Sequence, residues 1–194
     1  MKIGLYFGSF NPIHTGHLII ASHILNETDL NKVWFIVSPH NPFKNAENLL
    51  NEYDRYALVQ KAVDDDPRLK ASDIEFTLPK PSYSVHTLAY LQEKYPDHEF
   101  HIIMGSDSFQ NLPRWKNAEV IISQYPILVY LRPGFDFTPI EGANAKTLKA
   151  PLLEISATHI RELIRTGKSI KYLVPPAVEE EIERSGLFRK FQKK

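Results

Sequence analysis

At 194 residues the chain is long enough for one well-packed domain with a small appendage, and its 43% hydrophobic and 24% charged residues exclude a disordered composition. No apolar run approaches the roughly 20 residues of a membrane span, and the opening run is too short for a secretory leader, so the expected location is the cytoplasm. Lysine plus arginine (23) balance aspartate plus glutamate (23), which leaves no basic footprint for nucleic acid, and the lack of cysteine excludes disulfides and thiolate nucleophiles; a small anionic ligand stays open.

Ile3-Gly4-Leu5-Tyr6-Phe7 reads as a buried first strand. Directly after it comes Gly8-Ser9-Phe10-Asn11-Pro12-Ile13-His14-Thr15-Gly16-His17, and then a helix in which Leu18, Ile19, Ala21, Ile24 and Leu25 recur at helical spacing, with Thr15 as its N-cap. His14 and His17 therefore fall on the loop and first turn at the positive end of a helix. Free N–H groups and the helix dipole favour an anion there, and Gly8, Ser9 and Gly16 let the backbone approach it closely.

Residues 32–37 read as a second buried strand, leading into a proline-punctuated loop that carries Lys44. The next helix has an apolar stripe of Tyr53, Tyr56, Ala57, Val59, Gln60 and Val63 and closes near Asp64-Asp65-Asp66-Pro67. Three consecutive carboxylates cannot converge on one ion, so that triplet reads as a solvated helix end. A third strand is expected around 71–76, a helix over about 85–94, a fourth strand over 100–104 that breaks at Gly105-Ser106-Asp107, and a fifth over 127–131, stopped by Arg132-Pro133-Gly134. Residues 152–155 suggest a short sixth strand. In the tail, Pro175-Pro176 opens a helix with Val178 and Ile182 on one face, ended by Gly186.

This alternation predicts an α/β fold: a Rossmann-like, doubly wound parallel sheet of five to six strands with right-handed crossovers. It also predicts one domain over 1–194, with a helical cap from about 157. Loops leaving the carboxyl ends of parallel strands gather along one edge, where ligands bind. Gly8 to His17, Lys44, Ser84, Gly105, Asp107 and the segment from Ser156 to Arg161 are all assigned to that edge.

A second phosphate signal lies in Ile155-Ser156-Ala157-Thr158-His159-Ile160-Arg161, again a strand-to-helix passage, with Ser156 as N-cap and Arg161 as a permanently charged forked donor. Other signatures fall away. Thr166-Gly167-Lys168-Ser169 holds the G-K-S of a P-loop, yet Glu162 occupies the place of its first glycine and the segment follows a helix, so it reads as a helix C-terminus. Neither G-x-G-x-x-G nor G-x-S-x-G occurs, and zinc on His14 and His17 finds no third ligand nearby.

With G-S-F-N-P-I-H-T-G-H after the first strand and I-S-A-T-H-I-R before a late helix, the sequence resembles the nucleotidyltransferases that share the (H/T)-x-G-H motif, and within them the bacterial nicotinate-nucleotide adenylyltransferases. The likeness extends over nearly the whole chain, through Asn41-Pro42-Phe43-Lys44, Pro81-Ser82-Tyr83-Ser84, Met104-Gly105-Ser106-Asp107, Leu112-Pro113-Arg114-Trp115 and Leu131-Arg132-Pro133-Gly134. Ser106 stands where the family more often has alanine, Ser84 where it has threonine, His86 where it has aspartate and Ala157 where it has a second serine.

The resemblance implies ATP and nicotinate mononucleotide as partners, yielding nicotinate adenine dinucleotide and pyrophosphate in NAD synthesis. It also implies magnesium (Mg2+) held mainly by phosphate oxygens and water. His14, His17 and Arg161 would be catalytic, and ATP would also lie against Gly8, Ser9, Phe10, Gly16, Gly105, Asp107, Ser156 and Thr158. The mononucleotide would lie against Asn11, Lys44, Ser84, Trp115 and Arg132, its ring stacked on Trp115. Two alternatives stay open: the same chemistry on nicotinamide mononucleotide or phosphopantetheine, and a nucleotide-binding sensor without turnover. So does assembly into a homo-oligomer.

Overall fold

The computed structural model describes residues 1–40, 49–151 and 154–189. Its frame is a six-stranded, wholly parallel sheet. Strand β1 (Lys2–Gly8) lies between β2 (Lys32–Val37) and β4 (Glu99–Gly105), with β3 (Leu69–Ser72) outside β2, and β5 (Ile127–Tyr130) and then β6 (Ala145–Leu148) beyond β4. The chain runs outward from β1 in one direction and, from β4, in the other. The β1/β4 boundary is thus the switch point where loops diverge and leave a crevice. Register keeps the carboxyl ends level: Gly8 sits beside Val37, Tyr6 beside Ile103 and Gly105 beside Tyr130.

The central strands are apolar at consecutive positions because both faces are covered. Leu5 packs with Trp34, Ile36 and Ile102 beneath α3 (Ser84–Lys94), α4 (Ser106–Asn111) and α5 (Ala118–Gln124); its neighbour Tyr6 packs on the opposite face with Phe35 and Ile24. That second face is covered by α1 (Thr15–Glu27), α2 (Glu52–Val63), α6 (Ala157–Arg165) and α7 (Pro176–Ser185). Ile160 of α6 and Val178 and Ile182 of α7 are buried in the same core as β1 and β2, so the C-terminal helices pack directly on the sheet. As the tail pattern predicts, Gly186 caps α7 in the left-handed region, at φ 68°. Among the described residues no helix is long and apolar enough to cross a membrane.

Four expectations need correction. Residues 74–77 form a turn of 3-10 helix rather than the end of β3, which closes at Ser72; the apolar Phe76 packs against the rings of Tyr53 and Tyr56 instead of entering the sheet. The sixth strand is Ala145–Leu148, not 152–155: this edge strand buries only Leu148, so no apolar run marks it, and residues 152–153 lie outside the described set. On α2 the inward stripe is Arg55, Leu58, Val59, Ala62 and Val63, while Tyr53, Ala57 and Gln60 are exposed, because an arginine occupies a position that an apolar pattern skips. The N-cap of α1 is His14, with extended backbone; Thr15 is the first helical residue, and it bonds the chain before α7, its N–H donating to Leu173 and its Oγ1 to the Tyr172 carbonyl.

Candidate active site

Two cavities open at the carboxyl edge of the sheet. The larger, about 1020 Å³, is lined by Gly8 through Asn11, His14, Gly16 and His17 from the β1–α1 passage, by Asp107 and Arg132, and by Ser156, Thr158 and Arg161 at the start of α6. The smaller, about 140 Å³, is lined by Ser84, Trp115, Gly105, Tyr83 and Glu75. Tyr6, Phe7, Gly8 and Tyr130 line both, so the cavities meet over the ends of β1 and β5.

The two histidines are fixed by the helix start itself. His17, in the first turn, accepts the backbone N–H of His14 on Nδ1 at 3.2 Å, so its neutral form carries the proton on Nε2. The two imidazoles are stacked, 3.7 Å between centroids at 26°, and His17 is edged by Phe10 at 5.1 Å and Tyr6 at 5.9 Å. His14 is only 7% exposed; burial, reinforced by the positive charge of Arg132, lowers its pKa to about 4. It is therefore neutral at physiological pH and can donate one ring N–H. Two imidazolium ions this close would repel by about 4 kcal/mol even at an effective dielectric of 20, so the pair offers directed donors rather than two fixed charges.

Across the same cavity Ser156 caps α6 as expected, accepting the His159 N–H at 3.2 Å. Arg161, half-buried, donates to the Asn11 carbonyl at 2.8 Å and to Thr158 Oγ1 at 3.2 Å, tying the start of α6 to the β1–α1 loop. Among the described residues no carboxylate pairs with it, which leaves its charge for a ligand. Asn11 is buried, and its Oδ1 accepts the Leu50 N–H at 3.2 Å.

Gly105 ends β4 where a side chain has no room: a Cβ there would come within 2.5 Å of Asp107 Oδ1 and 2.8 Å of Arg132 Cδ. Asp107 pairs with Arg132 at 2.9 Å. Ser106, fully buried, uses its hydroxyl to bind both Arg132 N–H (3.0 Å) and the Phe135 carbonyl (2.8 Å), fastening the loop after β5 to the start of α4. An alanine could make neither bond, which gives the departure at 106 a physical role. Arg132 thus stands in the larger cavity with Asp107, not in the smaller one with Trp115 and Ser84. Lys44 lies outside the described residues.

Three features were not read from the sequence. Glu75, 1% exposed, lines the smaller cavity; Thr87 Oγ1 donates to its Oε1 at 2.8 Å, and burial raises its pKa. The Tyr6 hydroxyl donates to that of Tyr130 at 3.2 Å where the cavities meet, and burial keeps both phenols protonated. Arg55 lies wholly buried beneath the β1–α1 loop. On helical or strand periodicity Arg55 and Glu75 read as surface residues, and with Glu52 and Asp54 beside Arg55 in the chain nothing local marks it as buried.

The family model described as cytidylyltransferase-like matches residues 5–163. Proteins named "Probable nicotinate-nucleotide adenylyltransferase" from Cytophaga hutchinsonii and Flavobacterium psychrophilum are 52% and 50% identical, over 93% and 98% of this chain and 94% and 100% of their own. A solved structure of Plasmodium falciparum nicotinic acid mononucleotide adenylyltransferase, complexed with NaAD, superposes with a TM-score of 0.80 over 96% of this chain and 97% of that one; at 18% identity the likeness is one of fold.

Proposed function

The chain belongs to the cytidylyltransferase-like nucleotidyltransferases and, within them, to the nicotinate-nucleotide adenylyltransferases, and from that membership we propose how its site divides the work of moving an adenylyl group from ATP to nicotinate mononucleotide. The observation that carries the reading is the junction of the two cavities, one walled by two histidines and an arginine with no carboxylate partner among the described residues, the other by an aromatic ring. It supports an attack at the seam, with ATP in the larger cavity and the pyridine ring beside Trp115 in the smaller.

The mononucleotide's phosphate has a second pKa of about 6, so near neutrality it is largely dianionic and needs no general base. One of its oxygens bonds to the α-phosphorus of ATP while the bond to the bridging oxygen of the β-phosphate breaks; pyrophosphate leaves and nicotinate adenine dinucleotide remains. Catalysis then consists of alignment and of donors placed where charge accumulates. His14 and His17 donate to the α-phosphate. Arg161 and the turn from Ser156 to Thr158 hold the leaving β and γ groups, and the helix starts of α1 and α6 add their dipoles. Asp107 accepts from ribose hydroxyls along Gly105, while Ser84 addresses the nicotinate carboxylate.

Lys44 and Arg132 are the candidates for the acceptor phosphate; the Arg132–Asp107 pair supports Arg132 reaching it from the ATP side. A divalent cation, magnesium in this reading, supplies charge neutralisation on the triphosphate. In this reading the cation would ride on the triphosphate oxygens and water, with the side chains of the larger cavity acting as phosphate donors. The shared core of sheet, α6 and α7 supports reading 1–194 as one domain with a helical cap. ATP as the adenylyl donor supports a cytoplasmic location for the reaction.

The test offers the purified protein ATP with nicotinate mononucleotide, nicotinamide mononucleotide or phosphopantetheine, and measures pyrophosphate and adenylylated product. The first acceptor is expected to give the highest kcat/KM. ATP binding without product from any acceptor would instead support the sensor.

A further inference from the structure

Arg55 is fully buried, lines neither cavity, and pairs with no carboxylate among the described residues. Its guanidinium is spent on backbone carbonyls: Nε donates to Leu50 at 2.9 Å, one terminal nitrogen to Ser9 at 2.6 Å and Ser38 at 2.8 Å, the other to Pro39 at 3.0 Å. Burial pushes its pKa down to about 10, which leaves it charged at neutral pH. Three pieces of chain, the β1–α1 loop, the end of β2 and the entry to α2, meet on this one group. A planar fork with five donors is the side chain able to serve four carbonyls at once.

The Ser9 bond matters most. Ser9–Phe10 is a trans peptide, so drawing its carbonyl inward turns its N–H the opposite way, toward the cavity that Ser9 and Phe10 line. Among the described residues no acceptor takes that N–H. Phe10 also has φ 45°, a conformation a bulky side chain holds only when its surroundings enforce it. Its ring then occupies the space that the missing side chain of Gly8 leaves, where a Cβ would approach to 2.7 Å, and lies against His17.

We propose that Arg55 is a positioning residue for phosphate binding: by fixing the Ser9–Phe10 peptide it sets the Phe10 amide and, through the Phe10 ring, the His17 imidazole for the ATP phosphates. This rests on the reading of the larger cavity as the ATP site. Arg55 acts from behind the loop, so it alters the chemistry without touching the substrate.

The test compares the parent with Arg55→Met and Arg55→Lys by circular dichroism, steady-state kinetics for both substrates, and calorimetric titration with ATP. In Arg55→Met, folded at the assay temperature, kcat falls about 10²-fold, as expected for a donor displaced by about 1 Å, and ATP binds about tenfold more weakly, while KM for nicotinate mononucleotide stays within threefold. Arg55→Lys keeps the charge but lacks the fork, and loses about tenfold in kcat. A purely structural arginine would lower the Tm and leave kcat per folded molecule and ATP affinity at parental values; that result overturns the proposal. Should Arg55→Met not fold, Arg55→Lys decides by the same readouts, and failure of both to fold assigns the residue to stability alone. A parent that binds ATP without turnover counts against the enzymatic reading, whereas the ATP titration still tests Arg55.

Discussion

The two halves of the site are made of different materials. The half proposed to bind phosphate is a cage of donors: two helix starts, two stacked imidazoles, Arg161 in front of the loop and Arg55 behind it. The half proposed to take the acceptor is a small aromatic slot lined in part by a buried carboxyl, Glu75. A polyphosphate needs many donors at fixed positions and little shape, whereas a pyridine ring needs a flat surface and few polar contacts. Mutations in one half should therefore mark transition-state stabilisation, and those in the other should mark substrate binding.

The largest expected effect is in the cage. His17→Ala should lower kcat by about 10² or more with the fold intact, as for loss of a preorganised transition-state donor. Near-parental turnover would dissolve the distinction between the halves.

His14 gives the next largest effect, in stability. The unfolded chain protonates His14 near 6.5 and the folded chain near 4. Between those values the unfolded state binds more protons, so the stability present above pH 6.5 is lost as pH falls, by about 3 kcal/mol from this residue. Thermal midpoints measured from pH 7 to pH 4 should decline more steeply for the parent than for His14→Gln; parallel slopes would contradict the burial of a neutral imidazole.

In the slot, Trp115→Ala should raise KM for the mononucleotide about tenfold, the worth of one stacked aromatic contact, with KM for ATP nearly unchanged. Equal losses for both substrates would move Trp115 out of the acceptor side.

Glu75 is the mildest case. Its pKa is raised in the fold, so its contribution to stability is present at low pH and lost as pH rises through the folded value. Glu75→Gln should therefore be more favourable to stability at pH 8 than at pH 4, as read from denaturant midpoints. An equal change at both pH values would mean that burial does not raise the pKa of this carboxyl.

The contrast also explains what was legible in the sequence. The cage is local: His14, Gly16 and His17, or Ser156, Thr158 and Arg161, lie within the first two turns of a helix start, so spacing alone declares their convergence. The central strands were equally plain, because burial on both faces makes their apolar runs continuous. Edge strand β6 was not, since three of its four residues stay outside the core. Arg55 and Glu75 escaped for a related reason. Each is a charged residue on an inward face, held by partners 46 and 12 residues away, and nothing in local periodicity separates such a residue from a solvated one. The N-cap of α1 missed by one position because an imidazole nitrogen in the first turn took the capping role usually given to a hydroxyl or carboxyl side chain.

Attack at the seam of the two cavities is the central claim, and a crystal structure of the protein with nicotinate adenine dinucleotide tests it most directly. The dinucleotide's pyrophosphate should lie against His14, His17 and the Phe10 amide, with adenosine along Gly105 and Asp107 and the pyridine ring on Trp115. A pyridine ring bound away from Trp115, or a pyrophosphate outside reach of both histidines, would contradict it.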